Sequence, residues 1–138
     1  MALWHLTSEY VTSLLLWRTG PAAFRVMQYD EPTEVLTNAD YFLFDQKYEA
    51  VLRQLEGQLD FGPVTVTDGM RHFAWDHYLE VRIHRAIEAN AIWNPGSLGL
   101  DIYRFGEQYL FVSEALKTEF EKVHPNGLHF SAGLSEFA

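Results

Sequence analysis

The sequence predicts an α+β fold, a mainly antiparallel sheet of short strands with two amphipathic helices packed on it. Two observations carry this. Short apolar runs recur between turn-forming glycines, prolines and aspartates, several of them alternating with polar residues. Two other segments, near Asp40–Leu55 and Ser113–Val123, instead repeat their apolar residues at the three-to-four spacing of a helix. With 138 residues, 48% of them hydrophobic and 15% aromatic, the chain can fill one core but would leave two marginal. A single domain is therefore expected over 1–138.

Taken in order, Leu3–Leu6 and Val11–Trp17 read as strands or buried apolar segments, punctuated by Gly20-Pro21, and Phe24–Tyr29 is strand-like again. In TNADYFLFDQKYEAVLRQLEG, residues Tyr41, Phe44, Tyr48, Val51, Leu52 and Leu55 fall on one helical face. Asn38 or Asp40 is placed to cap that helix, and Gly57 to close it in a left-handed conformation. A strand is expected at Val64–Thr67, ending at Asp68-Gly69. Leu79, Val81 and Ile83 alternate with polar residues, so Tyr78–Ile83 reads as a half-buried strand, although Ala86, Ile87 and Ala89 could continue a helix. DIYRFGEQYLFV reads as a hairpin bending at Gly106-Glu107. Ser113 then caps a helix whose buried stripe is Leu116, Phe120 and Val123, and Pro125-Asn126-Gly127 stops it before a last strand with Leu128 and Phe130.

Charge narrows the partners. Ten basic residues against nineteen acidic ones give a net charge of -9, which is unsuited to neutralising phosphates, so no nucleic-acid partner is expected. The chain has no cysteine, which removes disulfides, thiolate metal sites and cysteine nucleophiles. The N-terminus lacks a basic region ahead of an apolar run, and LLLW at 14–17 is far shorter than the roughly 20 apolar residues a spanning helix needs. A cytoplasmic protein without a membrane partner is expected.

Catalytic signals are sparse. His72, His77 and His84 are separated by five and seven residues, not by the single helical turn of a two-histidine zinc motif. Ser113 sits between a strand and a helix, but FVSEA lacks the glycines of a nucleophile elbow, and capping accounts for it. NPGSLGL lacks the lysine and hydroxyl of a phosphate-binding loop. No enzyme activity, cofactor or metal is expected. The competing enzyme reading needs two or more of His72, Asp76, His77, Glu80 and His84 to converge in a pocket.

One feature stands above composition. No basic residue occurs between Arg25 and Lys47, while Asp30, Glu31, Glu34, Asp40 and Asp45 all fall there. The first 69 residues hold 4 basic and 10 acidic groups, and the rest hold 6 and 9. YDEPTEVLTNAD, with its proline and turn formers, reads as an exposed loop. Those five carboxylates are the candidate partner-binding residues, because charge steers a basic protein and nearby aromatics anchor it.

The second half of the chain also resembles a known family. FGPVTVTDG, YLEVRIHRAIEAN and DIYRFGEQYLFVSEALKTEFEKVHPNGLHF are similar to the closing pattern of a bacterial immunity-protein family, formerly a domain of unknown function. Phe111, Val112, Ser113, Glu114, Leu116, Lys117, Gly127, Leu128 and Phe130 match that pattern. Arg82, His84 and Arg85 depart from it, and the first third of the chain has no counterpart. Members are encoded beside polymorphic or contact-delivered toxins and act in competition between bacteria. The resemblance implies an antitoxin function: stoichiometric binding of a cognate protein toxin, blocking its active site or a necessary movement, with no catalytic residues. The acidity suits a toxin that is basic around its active site. A non-catalytic adaptor subunit is the remaining alternative.

Overall fold

The computed structural model describes residues 2–96 and 99–137. In chain order its strands are β1 (Trp4–Ser8), β2 (Leu15–Gly20), β3 (Ala23–Gln28), β4 (Val35–Thr37) and β5 (Phe42–Asp45). Then come β6 (Leu59–Asp68), β7 (Phe73–Ile83), β8 (Ile102–Phe105), β9 (Tyr109–Val112) and β10 (Leu128–Ala132). The helices are α1 (Glu49–Arg53), which follows a 3-10 turn at Gln46–Tyr48, α2 (Ala89–Ile92) and α3 (Glu114–Val123). The fold is α+β and mostly sheet.

The strands form two sheets where the sequence suggested one. Four lie in the order β10-β1-β9-β8 and six in the order β2-β3-β6-β7-β5-β4. Among the described strands every pairing is antiparallel except β3 with β6, where Ala23, Phe24 and Arg25 face Thr65, Val66 and Thr67 in parallel.

The main core gathers residues of both sheets. Leu6, Leu110 and Val112 come from the smaller sheet, Phe44, Leu79 and Val81 from the larger, and α1 and α3 add Leu52, Leu116 and Phe120. A second core fills the opposite face of the larger sheet, with Leu16, Phe24, Leu43, Val64, Val66 and Tyr78. Strands β5 and β7 thus have apolar neighbours on both faces. Residues Tyr41 to Phe44 are all buried in succession, which is the pattern of a strand buried on both sides. For that reason the expected helix over Asp40–Leu55 is wrong in its first half. Phe42–Asp45 is strand, and only Gln46–Arg53 is helical. Asn38 makes a local turn, its Oδ1 accepting from the Asp40 and Tyr41 amides, and Asp45 caps the 3-10 turn through the Lys47 amide. Gly57 does adopt φ 91°, in the turn that leads to β6.

In β7, Asp76 and His77 lie between the pairs Val64↔Tyr78 and Val66↔Trp75, where β6 has Thr65 alone. This bulge resets the alternation, so Tyr78 and Trp75 both face the second core. Both β6 and β7 run longer than expected. Beyond Ala86 the helical continuation amounts only to the four-residue α2.

The closing unit follows its sequence closely. The hairpin turns at Gly106, whose φ is 62°. Ser113 Oγ accepts from the Leu116 amide and also donates to the Gly99 carbonyl. Leu116 and Phe120 are fully buried, but Val123 is 38% exposed, so the buried stripe ends one turn early.

Candidate docking surface

The histidines and carboxylates around 72–84 have separate local surroundings. His72 lies exposed in the turn before β7, at φ 58°. His77, in the bulge, packs its ring 4.5 Å from Tyr78. His84, past the end of β7, meets Asp60 Oδ2 at 2.9 Å, and that hydrogen bond raises its pKa. Asp76 is exposed. Glu80 is buried and gripped by Arg18 through both oxygens, at 3.1 and 2.5 Å, with Arg82 at 3.6 Å. Among the described residues no group of three or more His, Cys, Asp or Glu side chains could hold a metal ion.

The five acidic candidates fall into two sets. Glu34 is an internal clamp. Its carboxylate accepts from the Tyr48 hydroxyl at 2.6 Å, pairs with Lys47 Nζ at 3.0 Å and meets His124 Nδ1 at 2.6 Å. Burial pushes the Glu34 carboxyl up, but the hydrogen bonds from Tyr48, Lys47 and His124 outweigh it, and the net shift is downward. Burial, reinforced by Glu34, pushes the Tyr48 hydroxyl far above its ordinary value. Gly127 leaves just enough space for the clamp: a Cβ there would stand 1.9 Å from Glu34 Oε2 and 2.4 Å from His124 Nδ1. Asp45, likewise, is occupied as the cap of the 3-10 turn. The clamp joins residues 14 and 90 positions apart, and no sequence spacing announces it.

Asp30, Glu31 and Asp40 stay at the surface, and they flank one strand. Ser13 donates its amide to Asp30 Oδ2 at 2.8 Å, and Thr12 Oγ donates to the Glu31 carbonyl at 2.6 Å. Amide bonds from Ser13 and Glu31 hold the Asp30 carboxyl below its ordinary value. The acidic loop is thereby fixed against the segment that enters β2. At the other end, Arg18 reaches Asp40 Oδ2 at 3.4 Å and the Asp40 carbonyl at 3.1 Å.

Between these carboxylates β2 presents an apolar outer face. Leu16 points into the second core, while Leu15 is 44% and Trp17 59% exposed. Met27 of β3 is exposed nearby, as is Arg25, which pairs across from Trp17. Ahead of the strand Val11 is 100% and Tyr10 77% exposed, contrary to a buried segment from Val11. A gap of about 440 Å³, lined mainly by apolar atoms, separates Leu15–Arg18 from Asn38 and Asp40. Apolar surface bordered by charge is a common form of protein-binding surface. The sequence showed the apolar run and the acidic run, but nothing in it placed them side by side.

No helix among the described residues is long and apolar enough to cross a membrane. Compared with family models, curated proteins and solved structures, the chain gives no match.

Proposed function

We propose that the protein is a binding module without catalytic activity of its own, an immunity protein that neutralises a cognate bacterial toxin by stoichiometric contact in the cytoplasm. The observation that carries this reading is the outer face of β2, where exposed Leu15 and Trp17 lie between Asp30, Glu31 and Asp40. Aromatic anchors supply binding energy when a partner covers them, and the surrounding carboxylates attract a basic partner and set its orientation. Glu34 does not belong to this surface, because its carboxylate is held within the fold by Tyr48, Lys47 and His124, and Asp45 lies apart from it, capping the 3-10 turn after β5.

The test is capture of the polypeptide encoded beside this gene. Co-purification and rescue of growth are the expected outcomes. Asp30→Asn, which keeps an acceptor for the Ser13 and Glu31 amides, combined with Glu31→Lys should slow association and flatten its salt dependence while leaving the unfolding curve in place. Trp17→Ala should weaken capture about ten-fold or more. Unchanged association kinetics in both variants would move the docking face elsewhere, and a neighbour that is neither captured nor neutralised would sink the immunity reading.

A further inference from the structure

Resting on the binding function proposed above, we infer that the partner docks by strand addition: an extended, basic segment pairs through its backbone with the outer edge of β2.

The larger sheet has two edges, and they are treated differently. At β4 the edge is covered, because Ser8 Oγ donates to the Val35 carbonyl at 2.7 Å and accepts the Val35 amide at 2.9 Å. Among the described strands β2 pairs with β3 alone, and its outer edge borders the gap beside Asn38 and Asp40. The Leu16 amide points that way and is held at 3.3 Å by the Tyr41 hydroxyl, a long and replaceable partner. Folded proteins protect open edges with charge, proline, brevity or a covering segment. Over Leu15–Trp17 this edge has no charge or proline; its protection is limited to the Tyr41 hydroxyl and the irregular register at Leu15/Leu16, and its side chains Leu15 and Trp17 lie open to solvent. A strand added about 4.8 Å from β2 would set its own apolar residues beside those two.

Charge selects the occupant. Asp30 and Glu31 stand at the entrance to β2 and Asp40 near Arg18, whose own charge is matched by Glu80. Arg25 is the exposed cation beside Trp17. A second copy of this chain would bring the same carboxylates and another net charge of -9 to the contact. A segment carrying lysine or arginine at its ends and apolar residues between them matches both features.

The probe is a synthetic peptide of about eight residues, valine and threonine alternating between terminal lysines, within the usual length of a strand. Titration calorimetry and amide hydrogen exchange read its binding to the intact protein. Saturable binding is expected, with slowed exchange at Leu16 and Arg18. Methylating the peptide nitrogens along one edge should weaken binding at least ten-fold, replacing its lysines with glutamates should abolish it, and so should Trp17→Lys in the protein. Strand addition is overturned if the methylated peptide binds as well as its parent, if the glutamate peptide binds equally, or if no saturation is seen into the millimolar range. Self-association in sedimentation that Trp17→Lys removes would make a second copy the occupant and overturn it too. Failure here with toxin capture intact leaves the immunity function standing, whereas loss of capture with peptide pairing intact refutes that function alone.

Discussion

Gly127→Ala probes the Glu34 clamp without touching any of its polar groups. The new methyl carbon would stand 1.9 Å from Glu34 Oε2, 2.5 Å from Glu34 Cδ and 2.4 Å from His124 Nδ1, so the carboxylate has to move. A free glutamate end would move at little cost, but this one is held by Tyr48, Lys47 and His124. Lys47 and His124 are each more than a third exposed, so water replaces what they lose. The Tyr48 side chain is buried, and losing a hydrogen bond to a charged acceptor costs it roughly 1.5–3 kcal/mol. Restricting the unfolded chain at a former glycine returns about 0.4–1 kcal/mol. The net loss is therefore about 0.5–2.6 kcal/mol, which lowers the urea midpoint on the order of 1 M at unchanged slope. Tryptophan fluorescence can follow the transition. In a Glu34→Ala background the same substitution should cost much less, because the held carboxylate is gone and the exposed His124 ring can turn aside. Equal cost in both backgrounds would refute the clamp. Weakened capture of the proposed partner with unchanged stability would return Glu34 to the docking face.

Other substitutions test the core and the buried charges. Phe120→Ala should cost ~3–5 kcal/mol in the same urea assay, since the ring is fully buried between Phe44 and Tyr48. Arg18→Ala strands the buried Glu80 carboxylate with only Arg82 nearby and should cost about 3 kcal/mol, most of it recovered in Arg18→Ala with Glu80→Leu. His5 is buried among Tyr109, Phe111 and Phe137. Burial lowers its pKa, against the opposing pull of Glu136 and with a push from His129. The unfolded chain therefore binds the proton first, and stability falls as the pH drops below about 6.5 toward the depressed folded value. His5→Phe should flatten that part of the wild-type profile, measured as the difference between unfolding free energies at pH 7.5 and 5.5, and an identical profile would refute the assignment.

The parts of the fold legible in the sequence were those specified by neighbours along the chain. Ser113, Leu116, Phe120 and the Pro125-Asn126-Gly127 stop lie within one stretch, and each states its role through a cap, a periodicity or a turn. The hairpin at Gly106 is local for the same reason. Strand β5 was misread because burial on both faces erases the alternation that marks a strand, and Tyr41, Phe44 and Tyr48 happen to fit a helical face. The acidic candidates were separable only by structure. Asp30 and Glu34 are four residues apart in one charged loop, yet one meets solvent and the other meets Tyr48, Lys47 and His124. The exposed edge at Leu15 and Trp17 was invisible because an apolar run looks the same whether it faces a core or an absent neighbour.

The pairing of β1 with β10 has a consequence for how the chain comes to be folded. Trp4 sits opposite Ala132 and Ser8 opposite Leu128, with β1 in the interior of its sheet between β10 and β9. During synthesis β1 must therefore wait for both its sheet neighbours until β9 and then β10 have left the ribosome. Contacts that distant along the chain make assembly slow and leave Leu6 open to wrong associations in the interval.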